Sequence, residues 1–266
     1  MNELLVRILT GFMPLKKWRR AFRAKYIPAK TVTNSDLANS LNLENNNHIC
    51  LISANGTEKC VDFVQGLKIE FYGKNSTVRL HEPISFSNCE LRLGDNNLIE
   101  IGSTNFCISN FVMPYRMREN STLLIGKDFS CMECKIFMHD EPDIKVVIGN
   151  DCMFSFGVIV WPSDGHTIID ANGNPLNKGK DIILGNHVWA GMNTTILKGA
   201  NVPDNSVLAA HSLFTNSSNQ HPERVLGGGV FAGVPAKQLK SGINWDRKNY
   251  YDYSKERIKN KKEKNK

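Results

Sequence analysis

The fold class read from this 266-residue chain is all-β, a solenoid of short strands wound into three flat faces. Three observations predict it. From Leu184 the chain divides into hexads, LGNHVW, AGMNTT, ILKGAN, VPDNSV and LAAHSL. The same register appears upstream, from Ile125 and again from Ile148. Composition agrees: 41% hydrophobic residues, 20 Gly and 10 Pro suit one ordered domain with appendages, and exclude collagen or wholesale disorder.

The hexads carry most of the weight. Their first position holds Leu184, Ala190, Ile196, Val202 and Leu208, and their fifth holds Val188, Thr194, Ala200, Ser206 and Ser212. Such spacing is neither the 3.6 of a helix nor the 2.0 of an ordinary strand. It fits a coil whose inner corner admits one aliphatic side chain while a small residue keeps the bend tight. Three hexads make one triangular coil of about 18 residues, so the 36 residues from Ile148 to Leu184 read as two coils' worth. Part of that stretch, about 166–181, breaks the rule with turn residues such as Asn172-Gly173-Asn174-Pro175 and reads as a loop thrown outward. A weaker repeat runs through 67–80 and 91–106.

The elements follow in order. Residues 1–30 form a basic amphipathic segment: Leu4, Leu5, Ile8, Leu9 and Phe12 recur at helical spacing, Pro14 ends the run, and Lys16-Lys17-Trp18-Arg19-Arg20 follows. It reads as a short helix resting on the inner leaflet of a membrane or packed on protein, and not as a signal peptide. Residues 31–66 are an N-terminal extension or irregular first coils. The solenoid domain is 67–245, and 246–266 are a basic tail, charged and poor in aliphatics, whose distal part is expected to be disordered.

Charge and cysteine usage narrow the function. The net charge of +7 divides into +7 over residues 1–30, +6 over 247–266, and −6 for the body between. Basic ends on an acidic body fit an anionic membrane surface, not a nucleic-acid interface. Seven scattered cysteines do not make a disulfide framework, so the thiols are read as reduced and the chain as cytoplasmic. No stretch reaches the length of a transmembrane helix.

The stretch from about Leu123 to Arg247 resembles the hexapeptide-repeat acyltransferases, whose fold is a left-handed parallel β-helix. Within them it is most similar to bacterial O-acetyltransferases of surface polysaccharides. The residues that carry the resemblance are the S-D-x-H segment at Ser163–His166, the NHVW-x-G turn at 186–191 and the G-x-P-A-K ending at 233–237. It implies a homotrimer, acetyl-CoA as co-substrate with no metal, and a glycan acceptor from capsule or lipopolysaccharide.

Acyl transfer to a hydroxyl needs a base for the proton and a donor for the developing oxyanion. His166, at the edge of a coil where the loop begins, is the candidate base, and coincides with the family's catalytic His. Asp164, two residues earlier, either binds that imidazole or closes a turn. By resemblance, His139 and Asp140 line the acceptor pocket, and Trp189 flanks the acetyl group, unless it packs a corner. The resemblance also assigns the oxyanion-binding amide to Met192, after Gly191, which would let the thioester approach, and a pantetheine-binding amide to Ala210. Lys237 and Lys240 would meet the phosphates of coenzyme A, or lie solvated on the surface. His187 reads as a surface residue, and His48, His81, His211 and His221 have no supporting context. Cys134 and Cys152 stay open as nucleophiles. Trp161-Pro162 departs from the family's smaller polar residues, and 217–231 lengthens the connection before GVPAK.

Other readings weigh less. A metal-dependent hydratase on the same fold needs clustered histidines, and no two of the seven lie within nine residues. A non-catalytic scaffold leaves the S-D-x-H segment without purpose. Within the enzyme class, an amino sugar or a small molecule such as serine is the other acceptor.

Overall fold

The computed structural model describes residues 45–219 and 228–264 of the chain. The amphipathic segment expected over 1–30 lies outside these residues, as do 31–44, Gly227 and His221. The chain climbs as a three-sided parallel β-helix, and its left-handed hexapeptide class is the one the sequence predicts. Among the described residues, face I and face II have eight strands each and face III has seven, and from Thr77 to Phe214 each coil visits them in that order.

Inside, identical levels stack. On face I, Val78, Ile99, Leu123, Val146 and Ile182 lie in register, all of them fully buried. On face II, Phe154, Ala190, Leu208 and Phe231 do the same. Edge-to-face phenylalanine pairs fill the axis, with centroids 5.1 Å apart for Phe129–Phe154 and 5.3 Å for Phe214–Phe231. Every first and fifth hexad position from Leu184 to Ser212 is buried. The polar fifth residues also tie the bend: the Thr194 hydroxyl donates to Gly191 O at 2.8 Å and the Ser206 hydroxyl to Pro203 O at 2.6 Å.

The corners require left-handed backbone. Among the described residues, thirteen non-glycine residues have positive φ, and every one is Asn, Asp or His, the side chains that tolerate this region best. At the corner between faces III and I their amides form a ladder, Asn46 to Asn75 to Asn96 to Asn120 to Asp143, with bonds of 3.0–3.2 Å.

Several expectations need correction. Ile148 pairs directly with Leu184, so the 36 residues between them make one coil, not two; all the surplus is the loop 162–181. The solenoid begins before residue 67: His48–Ile52 already lies parallel to Thr77–His81 on face I. Glu58–Cys60 turns back antiparallel against it. At the other end Gly229–Gly233 adds to face II and Ala236–Ser241 folds back antiparallel on it. Within the tail, Tyr250–Lys264 is a helix, begun by Asn249 Oδ1 accepting from the Asp252 N–H at 3.0 Å. Among the described residues, no helix is long and apolar enough to cross a membrane.

Candidate active site

Where face III hands the chain back to face I, the corner loops of successive coils lie one above another. The loop 162–181 is the longest, and it is pinned at three places. Asp140 Oδ2 accepts from Trp161 Nε1 and from the Ser163 hydroxyl, each at 2.7 Å, which fixes the loop's start. Glu141 Oε1 accepts from the Gly179 N–H at 2.7 Å, which fixes its return. Asn177 crosses the middle: its Nδ2 donates to Asp164 Oδ2 at 2.9 Å and to His166 O at 2.7 Å, and its Oδ1 accepts from the Ile168 N–H at 2.7 Å.

Beneath this loop is a cavity of about 470 Å³, lined among others by Asp140, Glu141, Asp164, His166, Asn177 and Lys178. The His166 side chain is exposed at its wall. The expected Asp164–His166 pair is not what the fold makes. The Asp164 carboxylate takes Lys198 Nζ and Asn177 Nδ2 as partners. Partial burial works to raise its pKa, but these two hydrogen bonds, with Lys198's charge, outweigh burial and hold the carboxyl below its ordinary value. Asp140 serves as a brace. His139 does not line the cavity; its Nε2 lies 3.2 Å from Asp140 Oδ1 and its ring packs 4.4 Å from that of Tyr115.

A second group of expected residues meets at another corner, between faces II and III. The His211 N–H donates to Met192 O at 2.8 Å, which stacks the Met192 turn beneath that of Ala210. Among the described residues, neither the Met192 N–H nor the Ala210 N–H donates to a backbone carbonyl. Gly191 has a simpler reason to be glycine than approach by a thioester: a Cβ there would sit 2.8 Å from Ala210 N and 2.8 Å from Leu208 O, so stacking of coils requires it. Trp189 is 36% exposed on face II. Val207 and Val230 continue its column to the strand bearing Lys240, with Lys237 nearby, and both lysines are exposed. The two groups lie at opposite edges of face III, and one chain does not join them.

His187, read as an idle surface residue, is engaged on every side. Its Nδ1 lies 2.6 Å from Asp151 Oδ2 and its ring stacks on Trp245 at 4.0 Å and 9°. Trp245 in turn lies 6.0 Å from Trp189. Arg247 completes this strap, donating to Asp151 Oδ1 at 2.8 Å, to the Ser130 hydroxyl at 2.6 Å and to Asp128 O at 2.7 Å, with its guanidinium 4.3 Å over Phe106. Cys134 and Cys152 drop out as nucleophiles. Both are fully buried in the coil; burial pushes the Cys152 thiol up to about 12 and the Cys134 thiol well up. Among the described residues, no cluster of three or more His, Cys, Asp or Glu forms a metal site.

No protein-family model matches the chain. Two curated proteins named polysialic acid O-acetyltransferase are similar to it. The one from Neisseria meningitidis is 32% identical over 149 residues, 48% of this chain and 68% of that protein. The one from Escherichia coli O1:K1 / APEC is 36% identical over 104 residues, 39% of this chain and 32% of that protein. Two crystal structures share the fold. The polySia-specific acetyltransferase NeuO aligns with a TM-score of 0.57 at 25% identity, over 77% of this chain and 87% of that one. The polysialic acid O-acetyltransferase OatWY aligns with a TM-score of 0.52 at 30% identity, over 70% and 95%.

Proposed function

This chain belongs to the hexapeptide-repeat acyltransferases of the polysaccharide O-acetyltransferase type, and from that premise we propose that it transfers acetyl from acetyl-CoA to a hydroxyl of a bacterial surface polysaccharide. The acceptor is a polymer of the sialic acid kind on which its relatives are named to act. The observation that carries the reading is an exposed imidazole, His166, on the wall of a cavity of about 470 Å³.

In this reading His166 takes the proton of the acceptor hydroxyl as that oxygen attacks the thioester carbonyl carbon. The Met192 N–H donates to the oxygen that becomes negative. When the carbon–sulfur bond breaks, His166 returns its proton to the departing sulfur, so no charge is left over. Asp164, held by Lys198 and Asn177, orients the loop that carries His166 instead of touching the imidazole. Ala210 N–H, Lys237 and Lys240 hold the co-substrate along face II, and Trp189 flanks its acetyl end. Because the two half-sites lie at opposite edges of face III, a second copy supplies the one that each chain lacks at its own corner, as a cytoplasmic homotrimer would.

The test is acetyl transfer from acetyl-CoA to polysialic acid, followed by thiol release and by mass spectrometry of the glycan. His166→Ala is expected to lower turnover by about 10²–10⁴-fold with the assembly unchanged in light scattering. Turnover within a few-fold of the natural protein refutes His166 as the base.

A further inference from the structure

Beside the His166 cavity, a row of aromatic rings descends the same corner, and the acyl-transfer step described above does not use it. Trp161 closes face III at the level of the cavity. Phe137 lies one coil below, its ring centroid 5.1 Å from that of Trp161. His139 follows, stacked 6.4 Å from Trp161 and 6.0 Å from Phe137. Tyr115, another coil down, ends the row 4.4 Å from His139 and is 55% exposed.

The row is continuous with the cavity. Trp161 Nε1 is bonded to Asp140, which lines it. Gly165, also in the lining, lies so close that a Cβ there would be 3.2 Å from Trp161 Cζ2. Coils stack at the inter-strand spacing of about 4.8 Å, so three levels make a track roughly 10 Å long leading away from His166.

We propose that this row is an acceptor subsite, which stacks a pyranose ring of the glycan at Tyr115, two sugars away from the residue being acetylated. A pyranose presents an apolar face of C–H groups, which buries well against an aromatic ring, and a rim of hydroxyls, which needs polar neighbours. The row offers both. Its rings form the platform, and Asp140 and the exposed Arg116, next to Tyr115 in sequence, supply polar groups at its two ends. A packing role for the core does not explain the row, because it lies outside the coil. The inference rests on the acetyltransferase reading for the identity of the ligand.

The experiment measures equilibrium binding of sialic acid dimers and hexamers to the full chain, without acetyl-CoA, by tryptophan fluorescence. Only the hexamer is long enough to reach Tyr115 from the cavity. Tyr115→Ala is expected to reduce the preference for hexamer over dimer by about tenfold, the size of one stacked aromatic contact, and Tyr115→Phe to restore it. An unchanged preference in Tyr115→Ala, no binding of either oligomer, or a changed oligomeric state would each overturn the subsite, the last because the row would then be covered by a second copy. Tyr115-dependent binding without acetylation by the natural protein would sink the proposed activity and leave the subsite standing. Acetylation indifferent to Tyr115 would do the reverse.

Discussion

Asp164 shows how a residue's neighbours decide its work. Two positions from His166 in a strand-like segment, it reads either as the imidazole's partner or as the close of a turn, and the sequence offers no hint of its cation. Its cation, Lys198, is 34 residues further on, brought in by the next coil, and no short motif records that pairing. Asn177 likewise sits in a stretch that reads only as a turn-rich loop. The S-D-x-H segment singles out His166, and the fold places its side chain, exposed, at the wall of the cavity. The Asp164 carboxyl is held below its ordinary pKa, so its ion pair contributes stability that is complete above about pH 4 and is lost as pH falls through the lowered value. Asp164→Asn removes that contribution. The variant is therefore expected to melt below the natural protein at pH 7, and the gap should close in strong acid. A gap that persists unchanged at pH 2 would mean that the carboxylate's charge is not what holds the loop.

Strands and corners were legible to different degrees. From Leu184 onward, successive face I strands are 18 residues apart, as with Leu184 and Val202, and the hexads are plain. Earlier coils are longer and unequal: Val78 pairs with Ile99, Ile99 with Leu123, and Leu123 with Val146. Their corner loops dilute the repeat, which explains why the first coils read as irregular and why Tyr115, Phe137 and Trp161 gave no signal as a row. The asparagine corners were missed for another reason, since Asn marks a turn anywhere and the ladder exists only once coils stack. Asn96 has φ 53°, accepts from Asn75 and donates to Asn120. Asn96→Ala is expected to cost about 1–3 kcal/mol in urea unfolding. Asn96→Gly, free of the backbone penalty, should cost less. If Gly proves worse than Ala, the left-handed backbone is not what makes Ala costly at this corner, since both variants lose the ladder's hydrogen bonds alike. The tail helix also had a signal: Asn249 ahead of Asp252, and Tyr251 four residues before Lys255, whose ammonium lies 4.3 Å over its ring.

At the scale of the molecule, two motions of the chain bracket the solenoid. Glu58–Cys60 reverses at the bottom of face I and Ala236–Ser241 reverses at the top of face II. Deleting 229–241 should leave the remaining coils wound but drive the protein into large particles, seen by light scattering. A deletion variant that stays the size of the natural protein would show that the hairpin is dispensable for solubility. The reason lies in what a stack of parallel strands offers to the world. Each finished coil exposes a line of unspent amides and carbonyls that is a mould for the next coil, whoever's chain provides it. A strand running the wrong way spoils the mould, since an incoming parallel strand no longer meets donors and acceptors at its own rhythm. Among the described residues, those two short reversals close one sheet edge at each end of the solenoid against fibre growth.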